Sequence, residues 1–172
     1  MNFNKQKILR ITLVACISLL LMFGAQWYYS KRIIEKTLIN ELLSKPSVVN
    51  VDVKKQRDSV ILYIELKKVD NLKEVYGDVY NSAQHHLKGQ PFSLRFQNEP
   101  NKFLDQLYNS EIQFIVYEGL STGKFTEMKA MLDSLSSKNG SLDIKVFLDS
   151  ENLYLQLHND DSDYYNVIGR EN

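Results

Sequence analysis

A chain of 172 residues and 20.0 kDa, 44% hydrophobic and 24% charged, has room for one domain, or for one domain plus an appended segment. Seven glycines and three prolines exclude collagen-like, mucin-like and wholly disordered chains. A single cysteine, Cys16, excludes an intramolecular disulfide and a cysteine-built zinc site.

The 21 basic and 21 acidic residues cancel, but unevenly. Residues 1–30 hold Lys5, Lys7 and Arg10 and no acid, which leaves 18 basic against 21 acidic residues in 31–172. Nucleic acid demands clustered cations that displace counterions, so no nucleic-acid partner is expected.

Residues 1–10 read as a short cytoplasmic N-terminus. Ile11 to Ser30 is a run without charge, and its apolar body includes Ile11, Leu13, Leu19, Leu20, Leu21 and Phe23. As a helix it would reach about 30 Å, the thickness of a bilayer core. Trp27, Tyr28 and Tyr29 close the run, where amphipathic rings favour the headgroup layer, and Lys31 and Arg32 follow. The expectation is an uncleaved, single-pass signal-anchor, contacting lipid through residues 11–30 and holding the bulk of the chain outside the cytoplasm.

Two alternatives stand beside it. Ala25 suits the last residue of a cleaved signal peptide, although Phe23 fills a position that favours a small side chain. Leu13-Val14-Ala15-Cys16 resembles a lipobox that would lipidate Cys16, although the apolar run continues past it.

Residues 31–46 read as a juxtamembrane helix, with Ile33, Ile34, Leu38, Leu42 and Leu43 at helical spacing and Pro46 as its stop. Val48 to Lys54 alternates with Val49, Val51 and Val53 on one face. Val60 to Leu66 alternates again, so the two strands should pair as a hairpin. Leu72, Val75, Tyr76, Val79, Ala83 and Leu87 make an amphipathic helix terminated by Gly89. Phe92, Leu94 and Phe96 form a third strand.

A helix from Pro100 carries Phe103, Leu104, Leu107, Tyr108, Ile112 and Ile115, although the β-forming stretch Ile112 to Tyr117 also suits a strand. Gly119 and Gly123 are expected to mark a break before another helix with Phe125, Met128, Leu132 and Leu135. Two strands follow, Leu142 to Leu148 and Asn152 to Leu157, completing a body at 47–158. Residues 159–172 read as a polar, frayed tail.

Residues 51–66 match 142–157 at a constant offset of 91, with seven identities that include Asp58/Asp149, Ser59/Ser150 and Tyr63/Tyr154. Duplication and convergent hairpin chemistry both account for this. The expected class is α+β, a two-layer domain of order αββαβ–ααββ after the transmembrane helix, its sheet mostly antiparallel and its helices on one face. The order αββαβ resembles that of small envelope modules such as BON domains and the ring-building domains of secretion systems. The resemblance is one of element order: Gln56-Arg57-Asp58 stands where BON domains carry glycine-centred turns, and no family follows from it.

Chemistry-bearing residues are sparse. His85 and His86 are adjacent and would point about 100° apart on a helix, a poor grip for one ion, and His158 lies in the last strand. Ser121-Thr122-Gly123-Lys124 lacks the first glycine and the Ser/Thr of a phosphate loop, and reads as a helix–helix turn. Asp160-Asp161-Ser162-Asp163 lacks the spacing of an EF-hand. Asn139-Gly140-Ser141 fits both a glycosylation acceptor and a turn. No catalytic, cofactor or metal residues are expected.

Tyr117, Glu118, Lys124 and Phe125 form the candidate partner patch, on an exposed loop. The expected role is an accessory or assembly component that contacts a protein partner or a second copy of itself. The alternatives are a membrane-tethered hydrolase whose site forms only on folding, and a ligand-sensing domain.

Overall fold

The computed structural model describes Arg10 and residues 13–22, 36–160 and 162–170. The fold is mixed α+β with two three-stranded sheets, ordered β1-β2-β3 and β4-β5-β6. Residues 13–22 are helical with exposed side chains, and among the described residues no helix is long and apolar enough to cross a membrane. Ile11, Phe23 and Trp27 of the expected span lie outside the described residues, as do residues 31–35 of the expected juxtamembrane helix.

Helix α1 covers 36–43 and buries Leu38 and Leu42. The first hairpin joins β1 (Val48–Lys55) to β2 (Val60–Leu66), antiparallel as expected. A bulge between Val48 and Asn50 alters the expected inward face. Val48 and Val51 are buried while Val49 is left exposed.

Helix α2 (Leu72–Leu87) then crosses over, so β3 (Phe92–Phe96) lies parallel to β2. Asn71 caps α2 by accepting the Glu74 N–H, and the left-handed Lys88 ends it before Gly89. Leu38, Leu42, Val79 and Ala83 cover the inner face of this sheet, carried by Val51, Leu62 and Ile64.

The second half begins with one nearly continuous helical run: α3 (Lys102–Leu107), a π-turn over Tyr108–Ile112, and α4 (Gln113–Thr122). Asn101 caps it through the Leu104 N–H. The stretch from Ile112 to Tyr117 is therefore helical, because Ile112 and Val116 bury against α5 (Phe125–Lys138), and packing overrides a weak β preference. Gly119 is not a break. It lies inside α4 and is buried against Met128, while Gly123, at φ +70°, makes the turn.

Strands β4 (Leu142–Leu148) and β5 (Asn152–Asn159) form the second hairpin. The expected tail is corrected here: Ser162–Gly169 is a sixth strand, β6, antiparallel to β5, with Asp160 in the turn that follows β5. Leu153, Leu155 and Leu157 of β5 face α3, α4 and α5. Tyr154, Gln156 and His158 face the other way, toward Val69 and the first turn of α2. This sheet is covered on both sides, so the expectation of helices on one face fails for it, and every residue from Leu153 to Asn159 is buried.

The two hairpins are not equivalent at the sequence offset. Gln56 N–H bonds Ser59 C=O in one turn and Asp149 N–H bonds Asn152 C=O in the other, so the turns lie 93 residues apart rather than 91. A slip of two keeps every inward residue inward. The ungapped identities thus pair strand faces correctly but not the turns themselves.

Candidate functional site

The expected partner patch is not a loop: Tyr117 and Glu118 lie in α4, Phe125 opens α5, and of the four only Lys124 stands in the turn between them. Tyr117, Glu118 and Lys124 are exposed there. Phe125 is half-buried, packed on the α4–α5 core with the Arg170 guanidinium 4.9 Å above its ring. Thr122 Oγ1 donates to the Glu118 carbonyl at 2.7 Å within the last turn of α4. Lys124 pairs with Glu127 at 3.1 Å in full solvent, a contact of little energetic weight.

Sequence periodicity missed the larger feature of this surface. Phe114 is 64% exposed and Tyr117 56%, one turn apart on α4, and Met131 on α5 is 48% exposed. The depression between the helices, lined by Gly119, Met128 and Met131 among others, holds about 20 Å³, room for one water. The surface offers an aromatic face without a ligand pocket.

The histidines do not converge. His86 holds α2 to α1: its Nδ1 lies 3.0 Å from the Ser82 carbonyl and its Nε2 3.4 Å from Glu41 Oε2. His85 is exposed. His158 belongs to a buried polar joint between the halves. The Leu72 N–H donates to Gln156 Oε1 at 3.1 Å, which orients the amide. Gln156 Nε2 then donates to the Val69 carbonyl and to His158 Nε2. His158 Nε2 must accept, so its hydrogen sits on Nδ1 and bonds Asp163. Tyr165 Oη accepts from the Val69 N–H at 3.1 Å and donates to the Lys67 carbonyl at 3.2 Å.

Such an Asp–His pair resembles part of a catalytic relay, but here its outer nitrogen faces Gln156 and Val69. Asp163 is thereby drawn into the joint, and Asp160 makes the β5–β6 turn at φ +52°. Among the described residues no cluster of three or more His, Cys, Asp or Glu is arranged to hold a metal ion.

Where the two sheets meet, β3 and β6 present their outer edges to each other. Asn98, just past β3, bridges them. Its Oδ1 accepts the Tyr165 N–H at 2.8 Å, and its Nδ2 donates to the Tyr165 carbonyl at 2.8 Å. On one side of Asn98 lies a cleft of about 440 Å³ lined by Leu94, Arg95, Phe96 and Tyr164 to Val167. On the other lies a depression of about 220 Å³ with Glu65, Glu99 and Asp163 in its wall. Comparison with protein-family models, curated proteins and solved structures finds no match to this chain.

Proposed function

We propose that this protein is a single-pass membrane-anchored accessory or assembly component that presents a small extracytoplasmic α+β domain to a protein partner. The observation that carries the reading is the exposed aromatic pair Phe114 and Tyr117, one turn apart on α4. Large aromatic side chains left in water at one place favour protein contact, since they bring area at little cost in side-chain entropy. The charge-free run from Ile11 to Ser30, flanked by Arg10, Lys31 and Arg32, supports the anchor.

A photo-crosslinking side chain placed at Tyr117, with a control at exposed Asp78 on α2, tests the partner surface in intact membranes. The reading expects a defined adduct from position 117 and none from 78; only monomer from both overturns it. Orientation is read by placing a cysteine at exposed Ser150 in a Cys16→Ser background. Labelling in whole cells by an impermeant maleimide is expected, and protection would reverse the topology.

A further inference from the structure

We propose that the outer edge of β6, where it faces β3, is a docking site for one extended strand of a partner protein. That strand carries an acidic side chain at one end and a basic one at the other.

Hydrogen-bond parity defines the edge. The Arg170 N–H bonds the Glu151 carbonyl, and β5 and β6 pair antiparallel from Asn152/Gly169 to Asn159/Ser162. Bonded pairs alternate in such a ladder, so Tyr164, Asn166 and Ile168 bond β5, and Asp163, Tyr165 and Val167 direct their N–H and C=O outward. On β3, Val60 N–H bonds Pro91 C=O and Gln97 N–H bonds Ile64 C=O. By the same parity Phe92, Leu94 and Phe96 turn their backbone groups away from β2, toward β6.

The Asn98 side chain supplies the second observation. An amide that both accepts from the N–H and donates to the C=O of Tyr165 does what the peptide groups of a neighbouring strand do. One residue pair farther along, Val167 has no such partner among the described residues, and the 440 Å³ cleft opens beside it. Strand addition to an unpaired edge is a recurrent mode of peptide recognition. A strand entering here would displace the Asn98 amide and pair with the outer edge of β6.

Charge selects the occupant. Arg95 lines the cleft, is exposed, and pairs with no acid among the described residues. Beyond Asn98 the wall turns acidic, with Glu65, Glu99 and Asp163. An acid beside Arg95 and a base beside the three carboxylates complement both ends.

The inference rests on the protein-interaction reading but not on the α4 face, so crosslinking at Tyr117 and the measurement here fail independently. The probe is a fluorescein-labelled peptide, Glu-Val-Thr-Val-Thr-Lys, titrated by anisotropy against the full chain in detergent micelles. Saturable binding is expected, with slowed amide hydrogen exchange at Val167. Replacing the second valine of the peptide, its fourth residue, by proline, which removes a donor, should abolish binding. Asn98→Ala should tighten binding about threefold by removing the internal competitor, and Arg95→Glu should weaken it about tenfold, with recovery for the peptide Lys-Val-Thr-Val-Thr-Lys, which reverses only the end beside position 95. If Asn98→Ala fails to fold, Arg95→Glu, at an exposed position, carries the comparison. No binding, equal binding of the proline peptide, or unchanged exchange at Val167 overturns the proposal.

Discussion

Gln156 of β5 and Leu72 at the start of α2 are bonded side chain to backbone across 84 residues of chain, at 3.1 Å and out of reach of solvent. That bond and its neighbours fasten the second sheet to the linker of the first half. Gln156→Leu keeps the volume but takes the Gln156 partner from the Leu72 N–H, the Val69 carbonyl and His158 Nε2. The expected loss is about 2–4 kcal/mol, the desolvation cost of buried groups left without it. Urea unfolding measures it. A loss below about 1 kcal/mol would show that the joint is not what holds the halves together.

Gly119 and Met128 report on the packing of α4 against α5. A Cβ on Gly119 would stand 2.6 Å from Met128 Sδ and 2.8 Å from Met128 Cβ. The sulfur can swing away, but the Cβ moves only with its helix. Gly119→Ala is expected to destabilise by about 1–3 kcal/mol despite the better helix propensity of alanine. Adding Met128→Ala should recover only part of this in a double-mutant cycle read by thermal unfolding, because the Cβ clash remains.

The first hairpin and α2 were legible in the sequence because each has an apolar and a polar face: Leu62 and Ile64 alternate with Tyr63 and Glu65, and α2 carries its apolar stripe at steps of three and four. The second hairpin was legible because Leu153, Leu155 and Leu157 alternate with Tyr154, Gln156 and His158, although both faces of β5 are buried. β6 was not legible. Tyr164 and Ile168 pack toward α3–α5 while Tyr165 and Val167 pack toward Val69 and α2, so covering both faces erases the period-two signal. The same double covering hides Gln156 and His158, whose polarity alone would place them in water. Tyr117, Glu118 and Lys124 of the patch were expected to be exposed and are, although on a helix end and turn rather than a loop; Phe114 one helical turn earlier was not singled out, since nothing in a β-rich hexapeptide tells which side of a helix it would expose. The seam around Asn98 depends on how two sheets approach, and no local pattern encodes that.

Asp149 anchors the β4–β5 turn. Its Oδ1 accepts from the Glu151 and Asn152 N–H groups at 2.8 and 2.7 Å, and its Oδ2 accepts from Tyr154 Oη at 2.6 Å. Partial burial pushes its pKa up, but the bonds from Tyr154, Asn152 and Glu151, with Lys73 nearby, outweigh this and hold it below the ordinary carboxylate value. A depressed folded pKa adds stability that is present above the unfolded pKa and is lost as pH falls through the folded one. Unfolding midpoints followed from pH 6 down to pH 2 should therefore fall less steeply in Asp149→Asn, which keeps an acceptor for the turn but no titrating group. An unchanged acid slope would remove Asp149 from the account.

Tyrosines set the opposite limb. Burial, first, raises the pKa of Tyr76, Tyr154, Tyr164 and Tyr165 above the free phenol, reinforced by Tyr80 for Tyr76, by the Asp149 bond for Tyr154 and by Tyr108 for Tyr164. For Tyr165 the Val69 N–H opposes burial without cancelling it, and Asp163 adds to it. A raised folded pKa contributes stability that is complete below the unfolded value, about 10, and is lost as pH rises toward the folded one. Urea midpoints should thus decline from about pH 10 upward, and absorbance at about 295 nm should show a late-titrating tyrosine fraction that merges with the rest on unfolding. Tyr165→Phe separates the two roles of that ring. It should flatten the alkaline limb and, by leaving the Val69 N–H and the Lys67 carbonyl without the phenol, lower stability at neutral pH by about 1–3 kcal/mol. A variant that lost neutral-pH stability while keeping the full alkaline decline would assign that decline to the other tyrosines and leave Tyr165 as a clamp on the linker alone.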